Sequence, residues 1–237
     1  MINNYPIVNI YEKSSLKSKL SSQLIYGEKF QILNKKEDWL KIKTSYDNYI
    51  GFIKKRKFLK RIKITHKVSS LSANLYSRPE EKFLLSTKLP FCSKISVIEI
   101  NKKFYKFENY WIKKENVVPI SFKQQIFKDI KMFKNIPYKW GGKTFRGIDC
   151  SALVQIFFKF NNLYCPRDTK DQIKYFNKAK KIRKNSIIFW KGHVGVCLSK
   201  SLLIHAYGPK KKVLYMDIKK TFKLIERTAK LKVIGIR

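Results

Sequence analysis

The chain has 237 residues, 44% of them hydrophobic and 14% aromatic, which is enough to build buried cores and excludes a disordered basic protein. Its 53 Lys and Arg against 16 Asp and Glu give a formal charge of +37, yet only eight of the cations are Arg, and the lysines run through the whole chain rather than along one stripe. Such charge reads as a solvated surface: it attracts polyanions without selecting among them, and no specific nucleic-acid partner is expected.

No apolar run approaches the roughly 18–20 residues of a membrane span. The opening MINNYPIVNIYEKSS has neither a basic n-region nor an apolar stretch of signal-peptide length, so the expected compartment is the cytoplasm. Cys92, Cys150, Cys165 and Cys197 are widely spaced and no CxxC or HExxH occurs. Neither disulfides nor a zinc site is expected, and no metal or organic cofactor is implied.

In chain order, the first feature is a weak repeat at an offset of 65 residues. VNIY at 8–11 returns as ANLY at 73–76, Lys29-Phe30 as Lys94-Ile95, Ile32-Leu33 as Val97-Ile98, and Trp39 as Phe104. Each copy carries four or five short period-two strands with turn signals between them, the pattern of a small β-barrel. The copies are assigned to residues 1–60 and 61–120. YGEKFQIL, KKEDWLKI and NYIGFI in the first copy resemble bacterial SH3-like domains, and the second copy resembles them less closely. Two generic β modules with no assigned ligand would share this architecture.

The pattern changes near residue 121. SFKQQIFKDIKMFKN places Phe122, Ile126, Phe127, Ile130 and Phe133 on one face of an expected helix, with Pro137 just beyond it. PYKWGG and GIDC lead into a second helix ending about Phe160. PRDTKDQIKYF predicts a short third helix with Asp168 or Thr169 as its cap. SIIFW, HVGVCL, SLLIHAYG, KVLYMDI and LKVIGI then read as strands. Helices followed by strands imply an α+β domain over residues 121–237.

Cys150 opens the second helix. Free N–H groups and the helix dipole favour an anion there, and can lower a thiol pKa from about 8.5 to between about 4 and 7 when a histidine helps. The same groups can donate to an oxyanion. A cysteine nucleophile needs a histidine to take its proton and a third group to orient that histidine. His193 and His205 lie twelve residues apart, a spacing that suits adjacent antiparallel strands joined near Ser199-Lys200-Ser201. Taken singly, such a cysteine is also a small packed residue and such a histidine a core residue. His66, between the β modules, has no partner of this kind.

PYKWGG, GIDCSALVQ, PRDTKDQ, IIFWKGHVGV and LIHAYG occur in this order over about residues 121–210. Together they resemble the NlpC family of papain-like cell-wall cysteine peptidases. With SH3-like domains in front, the chain is similar to the γ-D-glutamyl-L-diamino-acid endopeptidases of that family. The resemblance implies a multidomain protein: two small all-β SH3-like barrels followed by an α+β papain-like cysteine peptidase domain.

It also implies roles. Cys150 is the expected nucleophile, His193 the general base and later acid, and His205 the group orienting His193. Tyr138 matches the tyrosine expected near the oxyanion, beside the Cys150 N–H. The implied substrate is a murein-derived peptide with a free N-terminal L-alanine, cut after γ-D-Glu through a thioester. Ser151 and Asp168, with Glu28 and Tyr49 from the first β module, match the residues that hold its ammonium group. Each has a plain alternative: Asp168 as a helix cap, Ser151 as a first-turn residue, Glu28 as a turn residue and Tyr49 as a barrel residue. Asn185-Ser186 stands where the family has Gly-Asp, and Ala152 where it usually has Gly. Two other readings stay open: an amidase or acyl transferase on the same Cys-His core, and a catalytically inactive basic wall- or nucleic-acid-binding protein.

Overall fold

Period-two burial builds the first half of the chain. In the computed structural model, which describes residues 1–237, β1 (Ile7–Tyr11), β2 (Leu20–Ile25), β3 (Phe30–Lys36), β4 (Trp39–Thr44) and β5 (Ile50–Lys54) form one antiparallel sheet in the order β2-β1-β5-β4-β3. Alternate residues turn inward, so Val8, Ile10, Leu24, Phe30, Leu40, Ile42 and Ile53 share a core with Phe58.

The following residues form β6 (His66–Val68), β7 (Ser72–Tyr76), β8 (Leu84–Pro90), β9 (Lys94–Ile95), β10 (Glu99–Ile100), β11 (Phe104–Phe107), β12 (Tyr110–Lys113) and β13 (Val117–Pro119). One sheet runs β8-β7-β12-β11-β10, and a three-stranded sheet runs β13-β6-β9. The larger sheet repeats the order of the first, strand for strand, with β1 ending at Tyr11 and β7 at Tyr76. The weak 65-residue repeat is therefore a repeat of topology.

The second core contains a residue of the first module. Tyr26, 2% exposed, packs among Val68, Leu75, Leu89, Phe107 and Ile112. Its ring meets Phe107 edge-on at 5.5 Å, its hydroxyl donates to Glu108 at 2.6 Å, and its carbonyl accepts from the Lys94 N–H at 2.9 Å. Residues Met1–Lys123 accordingly form one compact unit, and Gln124–Arg237 form a second.

The helix expected over 122–135 does not form. Lys128, Ile130, Met132 and Lys134 each donate to the carbonyl three residues back, and only Ile130–Phe133 is a regular 3-10 turn. The reason is spacing. The buried residues Phe127, Ile130 and Phe133 are three apart, which stacks them on a three-residue turn rather than on a 3.6-residue one. Phe122 is left 39% exposed.

The second unit then builds β14 (Lys143–Thr144), β15 (Gly147–Ile148), α1 (Cys150–Phe160), α2 (Thr169–Tyr175), β16 (Ile187–Trp190), β17 (His193–Cys197), β18 (Leu202–Tyr207), β19 (Lys212–Asp217), α3 (Ile218–Ala229) and β20 (Val233–Ile236). The five long strands form an antiparallel sheet in the order β19-β18-β17-β16-β20. α1 packs across β17 and β18, so its N-terminus lies over the strands that carry His193 and His205. α3 was not expected between the last two strands. Its signals are Asp217, whose side chain accepts from the Lys220 N–H, and Ile218, Phe222 and Ile225 at i, i+4 and i+7. The whole is a β-rich, multidomain chain with three α-helices, none long and apolar enough to cross a membrane.

Candidate active site

Asp149 is the N-cap of α1. Its Oδ1 accepts from the Ala152 N–H at 2.8 Å, which makes Cys150 the first helical residue. The carboxylate is enclosed. Oδ2 accepts from the Gly141 N–H at 2.9 Å, and Arg167 grips both oxygens, Nη1 to Oδ1 at 3.0 Å and Nη2 to Oδ2 at 2.5 Å. Arg167 is 4% and Asp149 6% exposed, so this is a buried bidentate ion pair. The WGG turn reaches it only because Gly142 lacks a side chain: a Cβ there would lie 2.4 Å from the Gly147 carbonyl oxygen. Neither Asp149 nor Arg167 was singled out from sequence. The available signals were Asp149 in the cap slot of GIDC and the basic residue in PRDT.

Cys150 is 7% exposed. Its thiol points to the Gly192 carbonyl at 4.0 Å, one residue before His193. Burial first, and the Asp149 charge second, push the thiol up to about 12; the backbone N–H groups of Val194 and Ser151 and the Arg167 charge pull the other way. The expectation of a thiol lowered by the helix N-terminus is thereby corrected. The N–H groups are present, but at this depth desolvation outweighs them, and the resting residue is a thiol.

The two histidines meet. His193 Nε2 lies 2.8 Å from His205 Nδ1, with ring centroids 5.1 Å apart. The β17–β18 turn that brings them together closes with Leu198 N–H donating to the Leu202 carbonyl, while Ser199 Oγ accepts from the Ser201 and Leu202 N–H groups. Trp190 and Tyr207 complete the box, with centroids 5.5 and 5.3 Å from His193, and Tyr207 stacks on His205 at 5.0 Å. Burial in this aromatic box pushes His193 down to about 4, and burial followed by the neighbouring His193 holds His205 well below the usual imidazole range. Both rings are neutral at neutral pH.

Tyr138 is held from two sides. Its N–H donates to the Lys211 carbonyl at 2.9 Å, and it bridges to Ile148 beside the nucleophile turn. Its ring lies against Gly208, where a Cβ would sit 3.4 Å from it. Burial, then the nearby Cys150 and Asp149, raise its phenol, so the hydroxyl is a proton donor.

Among the residues expected to hold an ammonium group, Ser151 donates to Asp149 Oδ1 at 3.1 Å and accepts from Arg167 Nη1 at 2.8 Å. With its proton committed, the hydroxyl can only accept further. Asp168 stands at the N-cap of α2, but its side chain makes no capping bond, and half-burial raises its carboxyl. The helix-cap alternative is thus true of its position and not of its side chain. Glu28 and Tyr49 belong to the first unit. Glu28 is 7% exposed with Oε2 accepting from the Ile25 N–H at 2.7 Å, and Tyr49 is half-buried with its N–H donating to Thr44 Oγ1 at 2.9 Å.

Comparison with known proteins identifies two domains by family match. Residues 135–228 match the NlpC/P60 family, and residues 10–58 match the bacterial dipeptidyl-peptidase SH3 domain. The chain is 24% identical to dipeptidyl-peptidase 6 of Lysinibacillus sphaericus over 233 residues, covering 84% of each chain. It is also 24% identical to a gamma-D-glutamyl-L-lysine dipeptidyl-peptidase of Bacillus cereus, covering 80% of this chain and 68% of that one. The crystal structure of an NlpC/P60 family protein from Bacillus cereus has the same fold, with a TM-score of 0.86, 18% identity and coverage of 100% of this chain and 98% of that one. One chain therefore carries an NlpC/P60 domain over residues 135–228 and a bacterial dipeptidyl-peptidase SH3 domain over residues 10–58.

Proposed function

We propose that this protein is a cysteine endopeptidase that hydrolyses the γ-D-Glu–L-diamino-acid bond of murein-derived peptides bearing a free N-terminal L-alanine. The observation that carries the reading is the His193–His205 pair at 2.8 Å, on strands packed against the helix that Cys150 opens. In this reading residues 1–60 and 61–120 are two SH3-like barrels, the second supported by its identical strand order, and residues 121–237 are a papain-like catalytic domain.

The roles follow from the chemistry of neutral partners. For His193 to act as base at Nδ1, its Nε2 carries a hydrogen and donates it to His205 Nδ1, which fixes both tautomers. Cys150 Sγ attacks the γ-carbonyl carbon as its proton passes to His193 Nδ1. The carbonyl oxygen becomes an oxyanion held by the Cys150 N–H and the Tyr138 hydroxyl. The C–N bond breaks, the leaving amine takes the proton from His193, and a thioester remains. Water then attacks the thioester, His193 accepts its proton and returns it to Sγ, and the γ-carboxyl group of D-Glu is released. Asp168, half-buried and lacking a capping bond, is suited to an incoming ammonium, and Ser151 offers that group an acceptor. Glu28 and Tyr49 keep the amine-recognition role that the family resemblance gives them.

The test is cleavage of an L-Ala-γ-D-Glu-diamino-acid tripeptide beside its N-acetylated form, by the parent chain and by Cys150→Ala. The reading requires that the parent cut only the free-amine peptide and that the variant cut neither. Equal cutting of both peptides removes the amine-binding roles and leaves the peptidase. No cutting of either, with murein binding unchanged in Cys150→Ala, would favour the binding-protein reading.

A further inference from the structure

We propose that the second unit carries another small-molecule site, away from Cys150, for an organic anion with an apolar body such as an aryl or acyl carboxylate. A cavity of about 520 Å³ is floored by Phe127, Phe158 and Phe176, walled by Ile187 and rimmed by Lys184 and Arg237. That volume falls within the range of small-molecule pockets, and an apolar floor with a few polar groups at the rim is their usual composition.

Phe158 is the only α1 residue not buried, and it lies eight residues along the helix from Cys150, roughly 12 Å at 1.5 Å per residue. The floor is an aromatic chain. Phe127 meets Phe158 at 5.8 Å, Phe158 meets Phe176 at 5.0 Å, Phe176 meets Tyr175 at 5.2 Å, and Tyr175 meets Tyr164 at 5.2 Å. The last two rings are 48% and 44% exposed, so the aromatic chain continues from the cavity lining onto the surface. Leaving phenyl faces against water is unfavourable, and an apolar ligand body removes that contact.

The charge of the rim selects the sign of the ligand. No acidic side chain lines the cavity, and none occurs between Asp171 and Asp217, so the charged side chains of the lining are both cations. Arg237 is held in place, with Nε donating to the Ile173 carbonyl at 2.9 Å, Nη1 to the Ile236 carbonyl at 3.0 Å and its own carbonyl oxygen accepting from the Ile187 N–H. A guanidinium fixed in this way meets a carboxylate with little loss of freedom. Lys184 is exposed and has no acidic partner.

The test is titration of the ¹⁵N-labelled full chain with 4-phenylbutyrate and with its neutral amide. Saturable shifts at Phe158, Phe176 and Asn185 are expected with the acid, and binding of the amide should be about fivefold weaker, the scale of an exposed ion pair. Lys184→Glu, an exposed position, should weaken the acid by at least that factor and leave the amide unchanged. Phe176→Ala should weaken both. Equal binding of acid and amide, shifts centred elsewhere, or no saturation by about 10 mM overturns the proposal. Peptide hydrolysis is a separate readout, because none of these residues belongs to the Cys150 site.

Discussion

Arg167→Met removes the cation from beneath the nucleophile and keeps much of the side chain's volume. Asp149 would retain its bonds from Ala152, Gly141 and Ser151 but lose a bidentate partner in a site closed to water. Breaking a buried pair from one side costs about 3–5 kcal/mol, because the surviving charge is left uncompensated. For a unit of this size that lowers Tm by roughly 10 °C or more. The second effect is electrostatic. Arg167 is one of the influences that lower the Cys150 thiol, and Asp149 one that raises it, so its loss drives the thiol further up and kcat/KM down at neutral pH. Asp149→Asn keeps a competent cap while removing the charge. The double variant should therefore recover most of the lost Tm, with a coupling of about 2 kcal/mol or more in the double-mutant cycle. Scanning calorimetry of the four proteins measures it. If Arg167→Met melts within about 3 °C of the parent, or the single changes simply add, the ion pair does not have the weight assigned to it.

The remaining expectations concern the histidines and the mouth of the site. His193 is depressed from its ordinary 6.5 to about 4, so between those values the unfolded chain binds the proton that the fold refuses; stability should fall by about 3 kcal/mol as pH drops through that window, and urea titrations of His193→Gln should show a flatter curve. Cys150 is raised from 9.0 to about 12, so stability should fall as pH climbs above 9, and Cys150→Ser should abolish that alkaline limb. His205→Ala should lower kcat about 10²-fold or more, while His205→Asn, which keeps an acceptor, should recover part of it. Trp140 is 63% exposed on the turn whose next residue, Gly141, binds Asp149; Trp140→Ala should raise KM for the tripeptide and spare kcat if the ring contacts substrate.

What could be read in advance depended on whether a signal was local. Strands β16 to β18 announced themselves by composition and period, and Cys150 by its place where a polar turn gives way to an apolar helical run. The 12-residue separation of His193 and His205 sufficed because a short turn leaves an antiparallel pair little freedom of register. The stretch 122–135 misled because the helix pattern needs Phe122 and Ile126 on the same face as the others, and these two stay outside the core while Phe127, Ile130 and Phe133, three apart, are buried at the spacing of a 3-10 turn. The Asp149–Arg167 pair spans 18 residues and depends on how α1 returns to the start of α2, which no local spacing encodes. The direction of the Cys150 shift was missed for a similar reason: a helix N-terminus is visible in sequence, whereas the depth at which it is buried is not.

Tyr26 carries a consequence for how this chain can be divided. A fragment beginning at residue 61 would keep every strand of the second module and still lack the ring that fills its core against Phe107, along with the phenol that Glu108 accepts from. Emptying an aromatic-sized volume costs about 3–5 kcal/mol, comparable to the entire stability of a domain of some sixty residues. Severing the chain at that boundary should therefore yield a soft, aggregation-prone piece rather than a portable module. Met1–Lys123 is the compact unit that keeps both copies of the repeat and the Tyr26 ring together.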